Sequence, residues 1–223
     1  MRTNRTAQLI YQTFYCALGL VGIVASFGIF DDYTMFRWDF YVHFTNLSNY
    51  FCIAIMAAQL VQTARKKEDS YVTVAPLLKF IGVLAILLTF VVFNVMLAPV
   101  REPQLNWRVS SVLAHVVLPI MFVADWFLFR ERGTLKWYYP IASAGFPLAY
   151  MTFIFIQAAI LKFDTSILIP GTSTPLIYPY FFVNLETQGV GGVAKWAVLM
   201  FVAFMAVGFL FYGIDRLLKR KGN

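Results

Sequence analysis

Charge is scarce in this chain. Only 13% of its 223 residues are Asp, Glu, Lys or Arg, where soluble domains carry roughly a quarter. With 60% hydrophobic and 18% aromatic residues, too little polar material remains for a water-facing surface. There are two cysteines, Cys16 and Cys52, both inside apolar runs, so no disulfide framework is expected. Two histidines and 11 acidic residues do not form the cluster that zinc needs, and neither a metal nor a cofactor is expected. Repeats, heptad arrays and low-complexity tails are missing too, which excludes solenoids and coiled coils. The net charge of +7 by itself suggests nucleic acid. The basic residues fall in short clusters between long apolar runs, however, which is the pattern of a topology signal and not of a nucleic-acid-binding face.

What the chain does have is hydrophobic length. A helix needs about 20 largely apolar residues to cross a bilayer core of about 30 Å. Six stretches qualify: 7–30, 40–63, 74–97, 109–129, 138–161 and 194–212. The first runs too long for the core of a cleavable signal and is read as a retained helix. The expected fold is therefore all-α, a single domain over 1–223 with six transmembrane helices. The connection 162–193 is too long for a plain turn and contains Pro170, Pro175, Pro179, Gly189, Gly191 and Gly192. A capping loop, a surface helix and a re-entrant segment all suit it.

The basic residues orient these spans. One side holds Arg2, Arg5, Arg65, Lys66, Lys67, Arg130, Arg132, Lys136, Arg216, Lys219, Arg220 and Lys221. The other holds Arg37, Arg101, Arg108, Lys162 and, at its edge, Lys195. The positive-inside rule places the first set, and with it both termini, in the cytoplasm.

Polar residues inside a span are costly, so their depth is informative. His43, Thr45, Asn46, Ser48 and Asn49 open the second span from the outer side. Ser110, Ser111 and His115 open the fourth, while Asn94 and Gln157 close the third and fifth on that side. At about 1.5 Å rise per residue, Thr45 and His115 each lie roughly 7–9 Å below the outer boundary. Thr45, Ser48, Asn49 and Cys52 share one helical face, and His43 points away from it. Pro119 has no N–H for the carbonyl of His115, so a kink is expected at the histidine. Below this level the spans read as apolar apart from Asp125, whose expected role is an interfacial anchor or a partner for Arg130 or Arg132. The picture is a polar chamber in the outer half of the bundle. Any one Ser, Thr or Asn there is more often packing glue than chemistry, and only the shared depth of Thr45 and His115 favours function.

Three patches resemble a known family. His43-Phe44-Thr45-Asn46-Leu47-Ser48-Asn49 opening the second span is similar to a segment of the androgen-induced gene 1 protein family. So are His115-Val116-Val117-Leu118-Pro119 in the fourth span and Tyr178-Pro179-Tyr180-Phe181 before the last. Bacterial relatives with Phe-Thr-x-Leu-Ser-Asn and Asp-Trp patches resemble the chain more closely still, which implies a bacterial cytoplasmic membrane. The family comprises multipass hydrolases of fatty acid esters of hydroxy fatty acids. The resemblance implies that Thr45 is a nucleophile and His115 its base. Ser48 departs from the pattern, standing where the eukaryotic members tend to carry an acidic residue.

The chemistry is consistent with that resemblance. A threonine hydroxyl is a weak nucleophile and needs a base. A neutral imidazole takes its proton and returns it to the leaving alkoxide. Asp125 stands roughly 15 Å along the helix from His115, too far to orient it, so a dyad is expected. Asn46, Asn49 and Asn94 are candidate oxyanion or substrate-binding donors. The implied partners are membrane lipid and a lipid-like ester entering laterally. Two other classes compete. A single b-type haem between His43 and His115 would use both histidines, although His43 faces away from Thr45. A lipid or small-molecule carrier would keep its binding without Thr45, although the chain lacks the repeats common in transporters.

Overall fold

The computed structural model describes residues 4–27, 42–161 and 177–220. Among them every element is helical, and six stretches are long and apolar enough to cross a membrane. They are Arg5–Ser26, Phe44–Arg65, Pro76–Val100, Val109–Leu128, Tyr139–Ile160 and Leu185–Lys219. All six expected spans are present. Residues 28–30 of the first and 40–41 of the second lie outside the described residues, as does 162–176 of the long connection.

Helix α1 (Arg5–Ser26) starts on an Asn4 cap whose side chain accepts from the Ala7 N–H at 3.1 Å. It lies antiparallel against α2 (Phe44–Arg65). The Arg5 guanidinium donates to the carbonyls of Thr63 and Ala64 at one end of the pair. Towards the other end Gly19 faces Ile53 so closely that a methyl group there would stand 2.8 Å from its side chain. Small residues at such crossings let membrane helices approach, since lipid tails supply no hydrophobic drive between them.

The third span, which opens with helix α3 (Pro76–Val92), and the fourth span each contain a π-helical turn, Phe93–Leu97 and Leu113–Val117. These turns replace the simple kink expected at His115. In each, the N–H just past the turn reaches back five residues, Ala98 to Phe93 and Leu118 to Leu113. A proline follows immediately, Pro99 or Pro119, and contributes no N–H to the ladder. Short α4 (Pro103–Asn106) joins the two spans, and α5 (Val109–Val112) leads through the second π turn into α6 (Leu118–Leu128). The fifth span is α7 (Tyr139–Ser143) followed by α8 (Gly145–Leu161).

The sixth span, α9 (Leu185–Arg220), begins before the expected residue 194. Asn184 caps its first turn, accepting from the N–H groups of Glu186 and Thr187. Gly189 then interrupts the helix at φ 63°, ψ 172°, a conformation suited to glycine, before the long helix resumes. The described part of the long connection is thus a 3₁₀ turn, Phe181–Val183, and the start of a helix.

A core of Tyr15, Cys52, Met56, Phe80, Leu84, Phe122 and Trp126 fills the middle of the bundle. Its outside carries exposed large apolar side chains, among them Ile10, Leu20, Val95, Ile160 and Leu210. That inside-out distribution suits lipid.

The end bearing the chain termini is fastened by charge. Asp215 on α9 is fully buried and pairs with Arg130. Its carboxylate also accepts from the N–H groups of Gly133 (2.8 Å) and Leu135 (2.9 Å). Arg216 donates to the Leu135 carbonyl at 2.9 Å. Arg130 is therefore committed to Asp215 and to the Trp126 ring, 4.2 Å away, and not to Asp125. Asp125 is 1% exposed and pairs instead with Lys79 of α3, whose ammonium lies 4.1 Å from the centre of the Phe122 ring. This half of the bundle is not the apolar region the polar pattern implied, because Gln8, Gln12, Gln59 and Lys79 are all buried in it.

Candidate functional site

A cavity of about 400 Å³ lies at the opposite end, walled by α2, α3, α8, α9 and the 177–184 segment. That is within the range of small-molecule sites. Its lining is almost wholly apolar, including Leu88, Phe93, Met151, Val193 and Phe204. Leu148, Val198 and Phe201 line it and are also exposed on the outer surface of the bundle. The cavity thus opens sideways between α8 and α9, where lipid would stand.

Thr45 lines this cavity from the first turn of α2. The α2 cap residue, His43, makes no side-chain cap bond. Tyr180 takes that place, its hydroxyl within hydrogen-bonding reach of the Phe44 and Thr45 N–H groups, the Thr45 hydroxyl and the Tyr150 hydroxyl. Burial pushes the Tyr180 phenol up, against the pull of these bonds, so it stays protonated. Tyr150 in turn donates to the Val42 carbonyl at 2.8 Å. A chain of hydroxyls therefore runs from Thr45 through Tyr180 to Tyr150. Tyr180 also stacks on Phe182, and the His43 ring meets it edge-on at 6.1 Å.

The other polar residues of this level hold backbone together. Asn49 donates to the carbonyls of Thr45 (2.8 Å) and Ala114 (3.0 Å), tying the threonine's turn to the residue beside His115. Asn94 donates to the carbonyls of Phe90 (2.7 Å) and His115 (3.2 Å). The His115 carbonyl, which Pro119 cannot serve, is therefore satisfied across the helix pair. Ser48 bonds Thr89 at 2.8 Å, and Thr89 is part of the cavity wall. Each amide nitrogen has two N–H groups, so those of Asn49 and Asn94 are both fully engaged. Neither asparagine has an N–H left for an oxyanion. Asn46 stands in the first turn of α2, half-buried.

His115 is half-buried within the π turn. Its Nδ1 lies 2.9 Å from the Ser111 carbonyl, which accepts but cannot donate. Nδ1 therefore carries the proton, and Nε2 has the free lone pair a base requires. The imidazole stacks face to face on Phe93, with ring centres 3.5 Å apart. Phe93 lines the cavity and His115 does not. Thr45 and His115 are thus tied together through Asn49, with the Phe93 ring between the imidazole and the cavity. Neither histidine lines this cavity, as axial ligands of a haem held there would. Among the described residues no three His, Cys, Asp or Glu side chains converge.

Tyr180 and Tyr150 are the site residues that the sequence did not single out for a role. The only hint was the position of Tyr180 in the Tyr178-Pro179-Tyr180-Phe181 patch. Compared with known protein families, with curated proteins and with solved structures, the chain matches none of them.

Proposed function

We propose that this protein is an integral membrane hydrolase of lipid-like esters, of the class of fatty acid esters of hydroxy fatty acids. Thr45 is the nucleophile and His115 the general base. One observation carries the reading: a threonine hydroxyl, held at a helix N-terminus, opens onto an apolar cavity that communicates with the lipid region. An acyl chain fits that lining, and an ester carbonyl would come to rest against Thr45.

In this scheme Thr45 Oγ attacks the ester carbonyl and its proton passes to His115 Nε2. The tetrahedral intermediate collapses, and the leaving alkoxide takes that proton back. Water then attacks the acyl-threonine with His115 again as base, releasing the fatty acid and restoring the hydroxyl. The Phe93 ring must move for His115 to reach the cavity. With Asn49 and Asn94 engaged, oxyanion stabilisation falls to the first-turn N–H groups of α2, once the Tyr180 hydroxyl that meets them yields to the substrate. The twelve basic residues of one side place both termini in the cytoplasm, and the site then lies in the outer half of a bacterial cytoplasmic membrane.

The test is hydrolysis of a fluorogenic long-chain ester by the purified protein in nanodiscs. Residues acting as one unit do not lose activity additively. Thr45→Ala, His115→Ala and the double variant should be equally inactive, and His43→Ala should stay active. A fluorophosphonate hydrolase probe should label the wild type and not Thr45→Ala. Full hydrolysis by Thr45→Ala would overturn the nucleophile assignment. Equal lipid binding by all variants with hydrolysis by none, wild type included, would favour a lipid carrier.

A further inference from the structure

A second polar site lies at the terminal end, far from the cavity, and owes nothing to the ester chemistry. Gln8, Gln12 and Tyr15 follow at i, i+4 and i+7 on α1, and all three are fully buried. The α1–α2 register, Arg5 beside Thr63 and Gly19 beside Ile53, sets Gln8 and Gln12 at the level of Gln59. Gln59 donates to Asp125 Oδ2 at 3.3 Å, and the same oxygen receives Lys79. Tyr15 and Lys79 both pack on the Phe122 ring. Helix α1 and three others thus bring three glutamines, a tyrosine and an ion pair into one stretch of the bundle, within about three turns of the Arg5 end.

Within the protein, seven of their side-chain atoms have no partner: both amide atoms of Gln8 and of Gln12, the Tyr15 hydroxyl, Gln59 Oε1 and Asp125 Oδ1. Buried polar atoms are nearly always bonded, and the combined penalty of seven left dry would rival the stability of a whole domain. The set mixes donors with acceptors. An anion would meet the free oxygen of Asp125, and a cation would meet Lys79 and the amide N–H groups. A molecule that both donates and accepts suits every one of them.

We infer that this cluster is a water-binding site, an internal hydrated pocket that joins the three glutamines and Tyr15 to the free oxygen of Asp125. Its waters bond the free Asp125 oxygen, while the Lys79 ammonium stays against Asp125 Oδ2 and the Phe122 ring. Bound waters of this kind bridge two to four polar groups each and exchange with bulk solvent.

Radiolytic hydroxyl-radical footprinting of the intact protein in nanodiscs, read by mass spectrometry, tests the inference, because radicals made from bound water oxidise side chains beside it. Tyr15 should be modified about ten-fold faster than the buried Phe204 of the apolar core, despite its zero exposure. Gln8→Leu/Gln12→Leu should suppress that modification and leave the melting temperature unchanged or lower. Tyr15 labelling at the level of Phe204 would overturn the proposal. So would a higher melting temperature in the double variant, the result expected if the glutamines were dry. Labelling that requires sodium or potassium and vanishes in choline buffer would assign the pocket to a cation and equally overturn it.

Discussion

Replacing Asp125 with leucine tests how charge is accommodated inside this bundle. The Lys79 ammonium is 2% exposed, with Asp125 Oδ2 at 2.5 Å and the Phe122 ring face at 4.1 Å. Asp125→Leu keeps the lysine and removes its counter-charge, and removing one partner of a buried pair costs about 3–5 kcal/mol. Against a total stability of about 5–15 kcal/mol that is a large fraction. It corresponds to a fall in melting temperature on the order of 10 °C for a chain of this size. Removing both charges is different, because no desolvated ion is left behind. Lys79→Met/Asp125→Leu should recover to within about 1 kcal/mol of the native protein or exceed it. Thermal unfolding in detergent can be followed by tryptophan fluorescence, to which the buried Trp126, next to Asp125 in the chain, contributes. The reasoning fails if Asp125→Leu melts like the wild type, or if the double variant is no more stable than the single one.

Three further outcomes are expected. Asp215→Ala strands the buried Arg130 and the N–H groups of Gly133 and Leu135, and should cost about 3–5 kcal/mol in the same assay. Gly82→Leu should cost about 3 kcal/mol, because even a methyl group at Gly82 meets Phe122 at 3.0 Å and Cys52 at 3.3 Å. Gly145→Ala, with nothing within 4 Å, should be neutral. With Cys16 and Cys52 replaced by serine, a membrane-impermeant maleimide applied from outside intact cells should label Arg101→Cys and not Asn4→Cys. Labelling of Asn4→Cys would reverse the orientation.

The parts of the fold that were legible in the sequence are those set by local periodicity. Twenty-residue apolar runs announce spans, and a fixed rise per residue converts position into depth. That arithmetic set Thr45, Asn49, Asn94 and His115 at one level, and hydrogen bonds now link them through Ala114 and the His115 carbonyl. Pro119 signalled that the His115 carbonyl would need another donor, though not that the helix would rewind into a π turn and accept Asn94. What stayed hidden depends on side chains distant in sequence. Lys79, which the polar pattern passed over, becomes the partner of Asp125 only when α6 packs on α3. Gln8 and Gln12, also passed over, are buried only once α1 packs into the bundle. Tyr180 reads as one aromatic in a loop until its hydroxyl meets the first turn of α2. None of these pairings leaves a periodic trace.

The two ends of the bundle differ in how firmly they are held, and the difference bears on how a lipid would enter. At the terminal end, two buried ion pairs tie α3 to α6 and the Arg130–Leu135 loop to α9. Separating those contacts would expose charge to a low-dielectric surround, so the helices are fixed there. At the cavity end no such pair exists among the described residues. The helices meet there through hydrogen bonds between neutral groups and through aromatic rings, and both π turns lie there. A π turn already departs from the regular α ladder. Leu148 of α8 and Val198 and Phe201 of α9 line the cavity with exposed apolar side chains. Gly189 supplies a point about which the start of α9 can turn. Opening at the terminal end would break both of its buried ion pairs. On the proposed hydrolase reading, a lipid enters between α8 and α9 at the level of Thr45, away from the end that the two ion pairs fix.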